Sequence, residues 1–384
     1  MTEATSQKLG RVLSIDGLRG LASLAVLFYH SRAVLWIGTS ETFQKHGLSF
    51  NLNVLISYLT LPFNFGGLGV VLFFVLSGYC IHRRGAQQLA DDPAASFHYG
   101  RFFSRRFWRL YPTYVAALVL TSAIDWWIQV STGTTPAGDD NSIYAFVVNL
   151  FAMQGYFAQY YGSNGVFWTL ALEIHLYLAY PLLFFISRKF GPNRVLCLTL
   201  LVGLIYVATD AILNIEGKLP YRKIQGPVFL PYWFTWATGF YLAEIEAKRV
   251  RDLKECILAL LMCAGFVLGL WLYAMGHTTY ANMPLALFFA GLLRLSLKPT
   301  GERAWCLLPG RLLAAIGVFS YSLYAIHAPV LHALHVLIES EHQAKFAAIW
   351  PAIGATVVSI LVAWVFFRLV EYWSVVPRTT INPR

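Results

Sequence analysis

Long apolar segments alternate with short polar segments along most of the 384-residue chain. Many of these apolar segments approach or exceed the roughly 20 residues that an α-helix needs to cross the hydrocarbon core of a bilayer. Backbone N–H and C=O groups cannot stay unpaired in that core, so the segments are predicted to be helices. The pattern predicts ten spans, near residues 15–37, 64–84, 110–130, 166–187, 194–212, 228–246, 255–274, 281–298, 311–338 and 346–371.

The composition supports a membrane protein. Hydrophobic residues make up 57% of the chain and charged residues only 12%, against roughly 25% charged residues in an ordinary soluble domain. We therefore expect an all-α, polytopic transmembrane helical bundle. We treat residues 1–384 as a single transmembrane domain, with cytoplasmic tails at 1–14 and 372–384.

The distribution of the basic residues sets the orientation of the bundle. The net charge is +10, which in a soluble protein would suggest nucleic acid as a partner. Here, with ten spans, 21 Lys and Arg residues fall on one side of the membrane and six on the other, while Arg19 and Arg294 lie inside spans. The positive-inside rule then places both termini in the cytoplasm. We expect membrane lipids, and no nucleic acid, among the partners.

The first predicted helix contains three ionisable residues in the stretch SIDGLRGLASLAVLFYH. Arg19 and His30 are eleven residues apart, almost three whole turns, so they share one face at a distance of about 16 Å along the axis. A histidine can take a proton from a hydroxyl group near neutral pH, as acyl transfer to an alcohol requires. In the alternative interpretation, Asp16 and Arg19 form an ion pair that anchors the helix, and His30 bonds a neighbouring carbonyl. Spacing alone leaves both open.

The fourth predicted helix contains a carboxylate in the stretch WTLALEIHLYLAYP. Glu173 and Tyr177 are i,i+4 neighbours on one face. Glu173 is a candidate to orient or charge-stabilise an imidazolium from the first helix, the role that an acidic partner plays for a catalytic histidine. A protonated structural glutamate bonded to another helix is an equally good interpretation.

The ninth predicted helix contains a proline beside a histidine in the stretch FSYSLYAIHAPV. Pro329 has no N–H, so it cannot bond the carbonyl of Ala325 one turn earlier. The freed carbonyl and His327 are candidates for a polar pocket. Hydrogen bonding between helices, the commoner use of such residues in membranes, remains the alternative for His327.

The predicted internal loop 85–109 ends in the stretch YGRFFSRRFWRLYP. Arg101, Arg105, Arg106 and Arg109 alternate there with aromatic residues. Such a segment can lie on the membrane surface with its rings in the interface and its cations against anionic phosphates. Alternatively, some of the arginines grip the phosphates of a cytoplasmic cofactor, for which the bidentate guanidinium is suited.

Five separated stretches resemble the acyltransferase 3 family of membrane-bound acyltransferases. DGLRG followed by His30 matches the arginine, ten residues, histidine signature of that family. GGLGVVLFFVLSGY, residues 66–79, is similar to its glycine-rich second helix, although Val71 stands where many members have an acidic residue. RRFWRLYP matches an arginine-x-x-arginine element through Arg106 and Arg109.

The two later stretches extend the resemblance over nearly the whole chain. WTLALEIHLYLAYP matches the WSLxxExxxYxxxP pattern, with Thr169 in place of the usual serine, through Trp168, Glu173, Tyr177 and Pro181. SYSLYAIHAP matches the SYxxYxxHxP stretch through Ser320, Tyr321, Tyr324, His327 and Pro329. The five motifs occur in the order and on the helices that the family requires.

The resemblance implies an O-acyltransferase in a bacterial inner membrane. It would transfer an acyl group, most simply acetyl from acetyl-CoA, to a hydroxyl of an extracytoplasmic or lipid-linked glycan, without a metal. The residues expected to be catalytic are His30, Arg19 and Glu173. Those expected to bind the cofactor are Arg106, Arg109, Asp16 and Ser77. Those expected to line the substrate site or pore are Tyr177, His327 and Tyr324.

A secondary transporter is the alternative function from another class. It would export an acyl or sugar compound and use the intramembrane histidines as a proton relay. Pseudo-symmetric halves with matching broken helices would favour it, and the sequence contains no such repeat. A transporter would leave no acyl ester on a glycan.

Overall fold

The computed structural model describes residues 13–135, 140–215, 229–339 and 345–375, and these residues are almost entirely helical. Within these ranges, β structure is limited to isolated bridges, at Trp36 with Phe346 and at Gln154 with Ala158. The helices are α1 Leu13–Leu35, α2 Thr39–His46, α3 Leu52–Leu59, α4 Leu68–Asp91, α5 Tyr99–Thr132, α6 Ile143–Leu150, α7 Phe167–Phe190, α8 Pro192–Ile215, α9 Leu230–Glu246, α10 Glu255–Ala274, α11 Thr278–Ser296, α12 Pro299–Trp305, α13 Leu308–Val318, α14 Ser320–Ile338, α15 Trp350–Phe366 and α16 Tyr372–Val375. A 3₁₀ turn at Leu61–Phe65 and a π turn at Phe367–Glu371 complete the set.

Six of these helices are long and apolar enough to cross a membrane, and the number rises to eight if each of two bent helix pairs forms one span. The prediction of a polytopic all-α membrane protein is therefore confirmed. Our prediction of ten spans also includes α1, which contains several ionisable residues, and α9, which has 17 residues and a length of about 25 Å. The number ten and the orientation of the termini stay predictions.

Two predicted boundaries were wrong. Residues 85–109 are not a loop, because α4 continues to Asp91 and α5 begins at Tyr99. Polar residues at the end of a helix do not form an apolar run, so the hydropathy pattern ends before the helix does. The predicted span 311–338 is not one helix, because Phe319 separates α13 from α14.

Several of the predicted features lie outside the described residues. They are most of the two tails, at 1–12 and 376–384, and some of the basic residues that we used for the orientation, namely Lys8, Arg11, Lys218, Arg222, Lys223, Arg378 and Arg384. Between the third and fourth predicted spans, α6 has eight residues. It is only about 12 Å long and does not reach across a bilayer.

The chain divides into two compact units. Unit one consists of residues 1–20, 70–99 and 171–317. Helix α9 is its most buried element, with an unbroken buried run from Pro231 to Phe240. It packs against α8 and α11, and α10 packs against α11. The buried residues of α9 include an ionisable one, Glu244.

Two glycines let helices α4 and α9 approach closely inside unit one. A Cβ atom on Gly78 would lie 1.9 Å from the carbonyl oxygen of Trp236, and a Cβ atom on Gly239 would lie 1.9 Å from that of Val75. Both distances are far below van der Waals contact, so neither position has space for a side chain. The contact between the two backbones depends on both glycines.

Unit two consists of residues 21–69, 100–170 and 318–384. Helix α14 packs against α15, and every residue of α14 from Ser322 to Leu331 is buried. The segment 151–166 is fixed to α5 by buried hydrogen bonds, among them those that Asp125 accepts from the backbone N–H and hydroxyl of Ser163, at 2.8 and 2.5 Å. The buried part of α14 includes His327.

Candidate functional site

Two histidines meet inside unit two. Nδ1 of His30, on α1, lies 3.2 Å from Nε2 of His327, on α14, and the ring centroids are 5.0 Å apart. His327 is buried and His30 is half-buried. The structure therefore brings together two of the predicted site residues that are 297 positions apart in sequence.

Backbone carbonyls fix the tautomer of both rings. Nδ1 of His327 lies 2.8 Å from the carbonyl oxygen of Tyr324 and 3.2 Å from that of Leu323. A carbonyl oxygen only accepts hydrogen bonds, so Nδ1 of a neutral His327 carries the proton and Nε2 accepts. Nδ1 of His30 then donates to that Nε2 and to the carbonyl oxygen of Val26, which is 3.0 Å away.

This tautomer leaves Nε2 of His30 with its lone pair. Among the described residues, no hydrogen-bond partner of His30 Nε2 occurs. A neutral imidazole with one nitrogen held as a donor and the other unoccupied is arranged as a general base or nucleophile. The interpretation in which His30 bonds a carbonyl is correct for Nδ1, and this bond orients the ring.

Tyr324 is held on the same helix as His327. Its hydroxyl oxygen lies 2.8 Å from Oγ1 of Thr169. The Thr169 hydroxyl donates to this oxygen, and it also lies 2.8 Å from the carbonyl oxygen of Val166. The Tyr324 and His327 rings meet edge to face with centroids 5.6 Å apart. Tyr324 thus packs beside the histidine pair and is held by Thr169.

The carbonyl oxygen of Ala325, which Pro329 leaves without its helix bond, accepts another hydrogen bond. Nδ2 of Asn164 donates to the carbonyl oxygen of Ala325 at 2.9 Å. The sequence predicts the freed carbonyl, but it does not predict its partner, because Asn164 lies 161 residues earlier in the chain.

A second cluster of predicted residues lies inside unit one. Nη1 of Arg19 lies 3.5 Å from Oδ1 of Asp16, and Nη2 lies 3.4 Å from Sγ of Cys80. Tyr177 and Glu173 are also close enough to Arg19 to interact with it electrostatically. The ion pair of the structural interpretation exists, and it belongs to a larger polar cluster.

Glu173 accepts hydrogen bonds within that cluster. The hydroxyl of Ser77 donates to Oε1 of Glu173 at 3.2 Å, and the hydroxyl of Tyr177 donates to the same oxygen. Nε1 of Trp236 donates to Ser77 at 3.2 Å. The structure therefore brings five of the candidate residues together within unit one, namely Asp16, Arg19, Ser77, Glu173 and Tyr177. A role for Glu173 in orienting His30 stays a prediction, since the two residues belong to different units.

Arg106 and Arg109 lie in the N-terminal part of α5, in unit two. Arg109 is exposed and Arg106 is half-buried, with its guanidinium carbon 5.7 Å from the centroid of the Phe102 ring. Within the described part of the chain, Arg109 forms no ion pair with a carboxylate. An exposed guanidinium without a carboxylate partner is available to a phosphate group.

Sequence reasoning missed a third cluster, which is buried in unit one. Nε2 of His82 lies 2.7 Å from Oε1 of Glu244, and Nη1 of Arg249 lies 2.6 Å from Oε2 of the same carboxylate. Ser187 donates to Glu244 at 2.5 Å, and the Tyr180 hydroxyl lies 3.1 Å from Nδ1 of His82. His82 and Glu244 both fall inside predicted spans, so the signal that identified His30 was present for them too.

The described residues contain no group of three or more His, Cys, Asp or Glu side chains that could hold a metal ion.

Comparison with known proteins gives a family that covers nearly the whole chain. Residues 12–368 match the acyltransferase 3 family, described as an acyltransferase domain. The chain is 25% identical over 343 residues to BcsY of Komagataeibacter xylinus, a candidate membrane-bound transacylase, and the match covers 87% of this chain and 77% of BcsY. No solved structure matches the chain significantly.

Two relatives are named for peptidoglycan O-acetylation. The peptidoglycan O-acetyltransferase OatA of Listeria monocytogenes is 27% identical over 234 residues, which are 59% of this chain and 33% of OatA. YrhL of Bacillus subtilis, a candidate peptidoglycan O-acetyltransferase, is 22% identical over 384 residues, 93% of this chain and 54% of YrhL. This chain thus spans only part of both relatives. It belongs to the acyltransferase 3 family and is a multi-pass membrane acyltransferase.

Proposed function

We propose that the protein transfers an acetyl group from cytoplasmic acetyl-CoA to a hydroxyl of an extracytoplasmic or lipid-linked glycan, in a bacterial inner membrane. Ten spans with both termini in the cytoplasm put the donor and the acceptor on opposite sides. The 21-to-6 partition of basic residues supports this orientation. The names of the relatives BcsY, OatA and YrhL support acyl transfer, and two of them support a glycan acceptor.

The observation that carries the proposal is the Nε2 lone pair of His30, which accepts no hydrogen bond from the described residues. Carbonyl groups direct the ring proton of His327 to Nδ1 and that of His30 to Nδ1. When Nε2 of His30 takes a proton, the resulting imidazolium still donates from Nδ1 to Val26 and His327. The pair therefore accommodates the protonated base without moving a side chain.

In the proposed reaction, Nε2 of His30 removes the proton of the acceptor hydroxyl while the oxygen attacks the thioester carbonyl. The new C–O bond forms, the C–S bond breaks, and the thiolate of CoA receives the proton from His30. The products are the O-acetylated glycan and CoA, and His30 returns to its neutral tautomer. A covalent route would place the acetyl group on the same Nε2 atom, and acid quenching of the enzyme with labelled acetyl-CoA alone distinguishes the two routes.

Arg19 and Glu173 act together in this proposal. Arg19 stabilises the negative charge that develops on the thioester oxygen or on the departing thiolate. Glu173, with Asp16, balances the guanidinium charge, and it holds the hydroxyls of Ser77 and Tyr177. We assign these residues of unit one to the acyl donor.

Arg106 and Arg109 bind the phosphates of the donor. The exposure of Arg109 and the basic, aromatic composition of this end of α5 support the assignment. Bidentate guanidinium groups suit phosphate oxygens better than lysines do.

Everted membrane vesicles with labelled acetyl-CoA test the proposal. With the parent protein, the label is expected to appear in glycan as an alkali-labile ester. His30→Ala is expected to lower this rate by about 10²–10⁴-fold, the usual contribution of a general base. His46→Ala, which changes an exposed histidine of the same unit, is the matched control and should behave as the parent.

Three outcomes decide between the candidate functions. Equal esterification by the parent and His30→Ala at equal protein amounts would exclude the mechanism. Label that crosses the membrane without becoming an ester would indicate a transporter. Mass analysis of surface glycans from a deletion strain and its complemented parent identifies the acceptor and the acyl group together.

A further inference from the structure

Asn164 occupies a buried position between three structural elements of unit two. Its side chain is fully buried, and it belongs to the segment that precedes α7. Its amide nitrogen Nδ2 donates to Oγ1 of Thr121 on α5 at 3.0 Å and to the carbonyl oxygen of Ala325 on α14 at 2.9 Å. Both amide hydrogens are therefore used.

The orientation of this amide is fixed by its partners. The carbonyl oxygen of Ala325 can only accept, and the hydroxyl of Thr121 already donates to the carbonyl oxygen of Ala117 at 2.8 Å. Rotating the amide by half a turn would place its oxygen against two acceptors. Asn164 is thus a double donor at this place.

Pro329 explains why Ala325 needs an external donor. In a regular helix the N–H of residue 329 would bond the carbonyl of residue 325, and proline has no N–H. A buried carbonyl without a partner costs about 1–3 kcal/mol in general. Asn164 replaces the missing helix bond, and His327 lies between Ala325 and Pro329 in the same turn of α14.

We propose that Asn164 is a positioning residue for His327, acting through the carbonyl that Pro329 leaves free. By holding this turn of α14, Asn164 keeps Nε2 of His327 within reach of Nδ1 of His30, and so keeps the second nitrogen of His30 unprotonated. The inference rests on the proposed function, because it assigns His30 as the reacting imidazole.

The experiment uses a rescue pair in the full-length protein. Asn164→Ala removes the donor to Ala325. In Asn164→Ala/Pro329→Ala, residue 329 regains an N–H that can bond the same carbonyl within the helix. Pro329→Ala alone and the parent complete the cycle. Asn282→Ala, which removes a buried amide donating to Thr279 in unit one, is the matched control.

Asn164→Ala is expected to lower kcat on the order of 10²-fold, the effect of a small misplacement of a reacting group, with the KM for acetyl-CoA unchanged. The pH profile of kcat/KM is expected to move, since the tautomer of His30 is no longer fixed. The double variant should have a kcat at least about ten-fold higher than that of Asn164→Ala, and its pH profile should match that of the parent. Asn282→Ala should change neither.

Two results would overturn the inference while leaving the proposed function intact. One is a parental kcat in Asn164→Ala, and the other is a double variant that is as slow as Asn164→Ala although it is inserted in equal amount. Should Asn164→Ala fail to accumulate, Asn164→Leu takes its place, because leucine fills a volume similar to that of the amide and has no group that can donate to Ala325. A parent without esterification activity would overturn the proposed function instead, and unfolding temperatures of the four proteins would still show whether Asn164 and Pro329 are coupled.

Discussion

Nδ1 of His30 and Nε2 of His327 lie 3.2 Å apart, and the carbonyl groups around the two rings allow only one arrangement of their protons when both are neutral. This relationship places a buried histidine behind a half-buried one. In the reaction that we propose, His327 acts through His30.

The first prediction concerns His327. His327→Ala removes the acceptor of His30 Nδ1, so the ring of His30 can turn and exchange its tautomer. We expect kcat to fall on the order of 10²-fold, less than for His30→Ala. Initial rates of ester formation between about pH 5 and pH 9 measure the effect. A loss equal to that of His30→Ala would instead assign His327 a direct role in proton transfer.

The second prediction separates charge from hydrogen bonding at Glu173. Glu173→Gln keeps an oxygen that can accept from Ser77 and Tyr177, but it removes the negative charge near Arg19. If the charge balances the guanidinium, kcat falls on the order of 10-fold to 10²-fold at an unchanged protein amount. Rates with labelled acetyl-CoA measure this, and Ser77→Ala is the control for the loss of a hydrogen bond alone. Parental activity of Glu173→Gln would show that the charge has no role.

The third prediction concerns the buried cluster of His82, Glu244 and Arg249. Glu244→Ala leaves the Arg249 guanidinium without its carboxylate, and breaking a buried ion pair in this way costs about 3–5 kcal/mol. We expect a clear drop in the unfolding temperature of the detergent-solubilised protein. Glu41→Ala removes an exposed partner of Lys45 and should cost about 0–1 kcal/mol. Equal unfolding temperatures of the two variants would contradict the structural role of the cluster.

The fourth prediction concerns pH and Asp252, in the polar segment between α9 and α10. Hydrogen bonds from the Arg294 guanidinium hold the pKa of Asp252 below its usual value. The ionised form is therefore favoured by folding, and its contribution is fully present above the pKa of an unfolded aspartate, about 3.9. It is lost as the pH falls through the lower pKa of the folded protein.

Unfolding temperatures of the parent and Asp252→Asn between about pH 7 and pH 3 test this sign. The parent should be the more stable protein at neutral pH, and the difference should shrink at the acid end. Because Asp252 is partly exposed, the effect should be small and should weaken with salt. A difference that grows toward low pH would contradict the assignment.

The sequence predicted the helices well because apolar length is a local signal. The prediction that residues 85–109 form a loop was wrong because polar residues such as Gln87, Gln88 and Arg101 resemble loop residues, although they belong to helices that continue outside the apolar run. The break at Phe319 also escaped prediction, since neither proline nor glycine occupies it. Local composition does not report where a helix ends if the neighbouring residues are polar but helical.

The candidate residues could be chosen from the sequence, but their contacts could not. His30 and His327 were both candidates, yet they are 297 positions apart in sequence, and the tautomers depend on their contact and on carbonyls of the two helices. Asn164 was not a candidate, because nothing near it in sequence marks the carbonyl of Ala325 as its partner. Contacts between helices that are distant in sequence form only in the packed structure, and they cannot be predicted from a single sequence.

The close approach of Gly78 and Gly239 also bears on how mutational data for this enzyme should be interpreted. Gly78 follows Ser77, whose hydroxyl bonds Trp236 across the same pair of helices. One added methyl group at either glycine would push the helices apart and carry Ser77 away from Trp236. A saturation screen scored by acyl transfer is therefore expected to rank these two positions, which lack any side chain, alongside the proposed reacting groups.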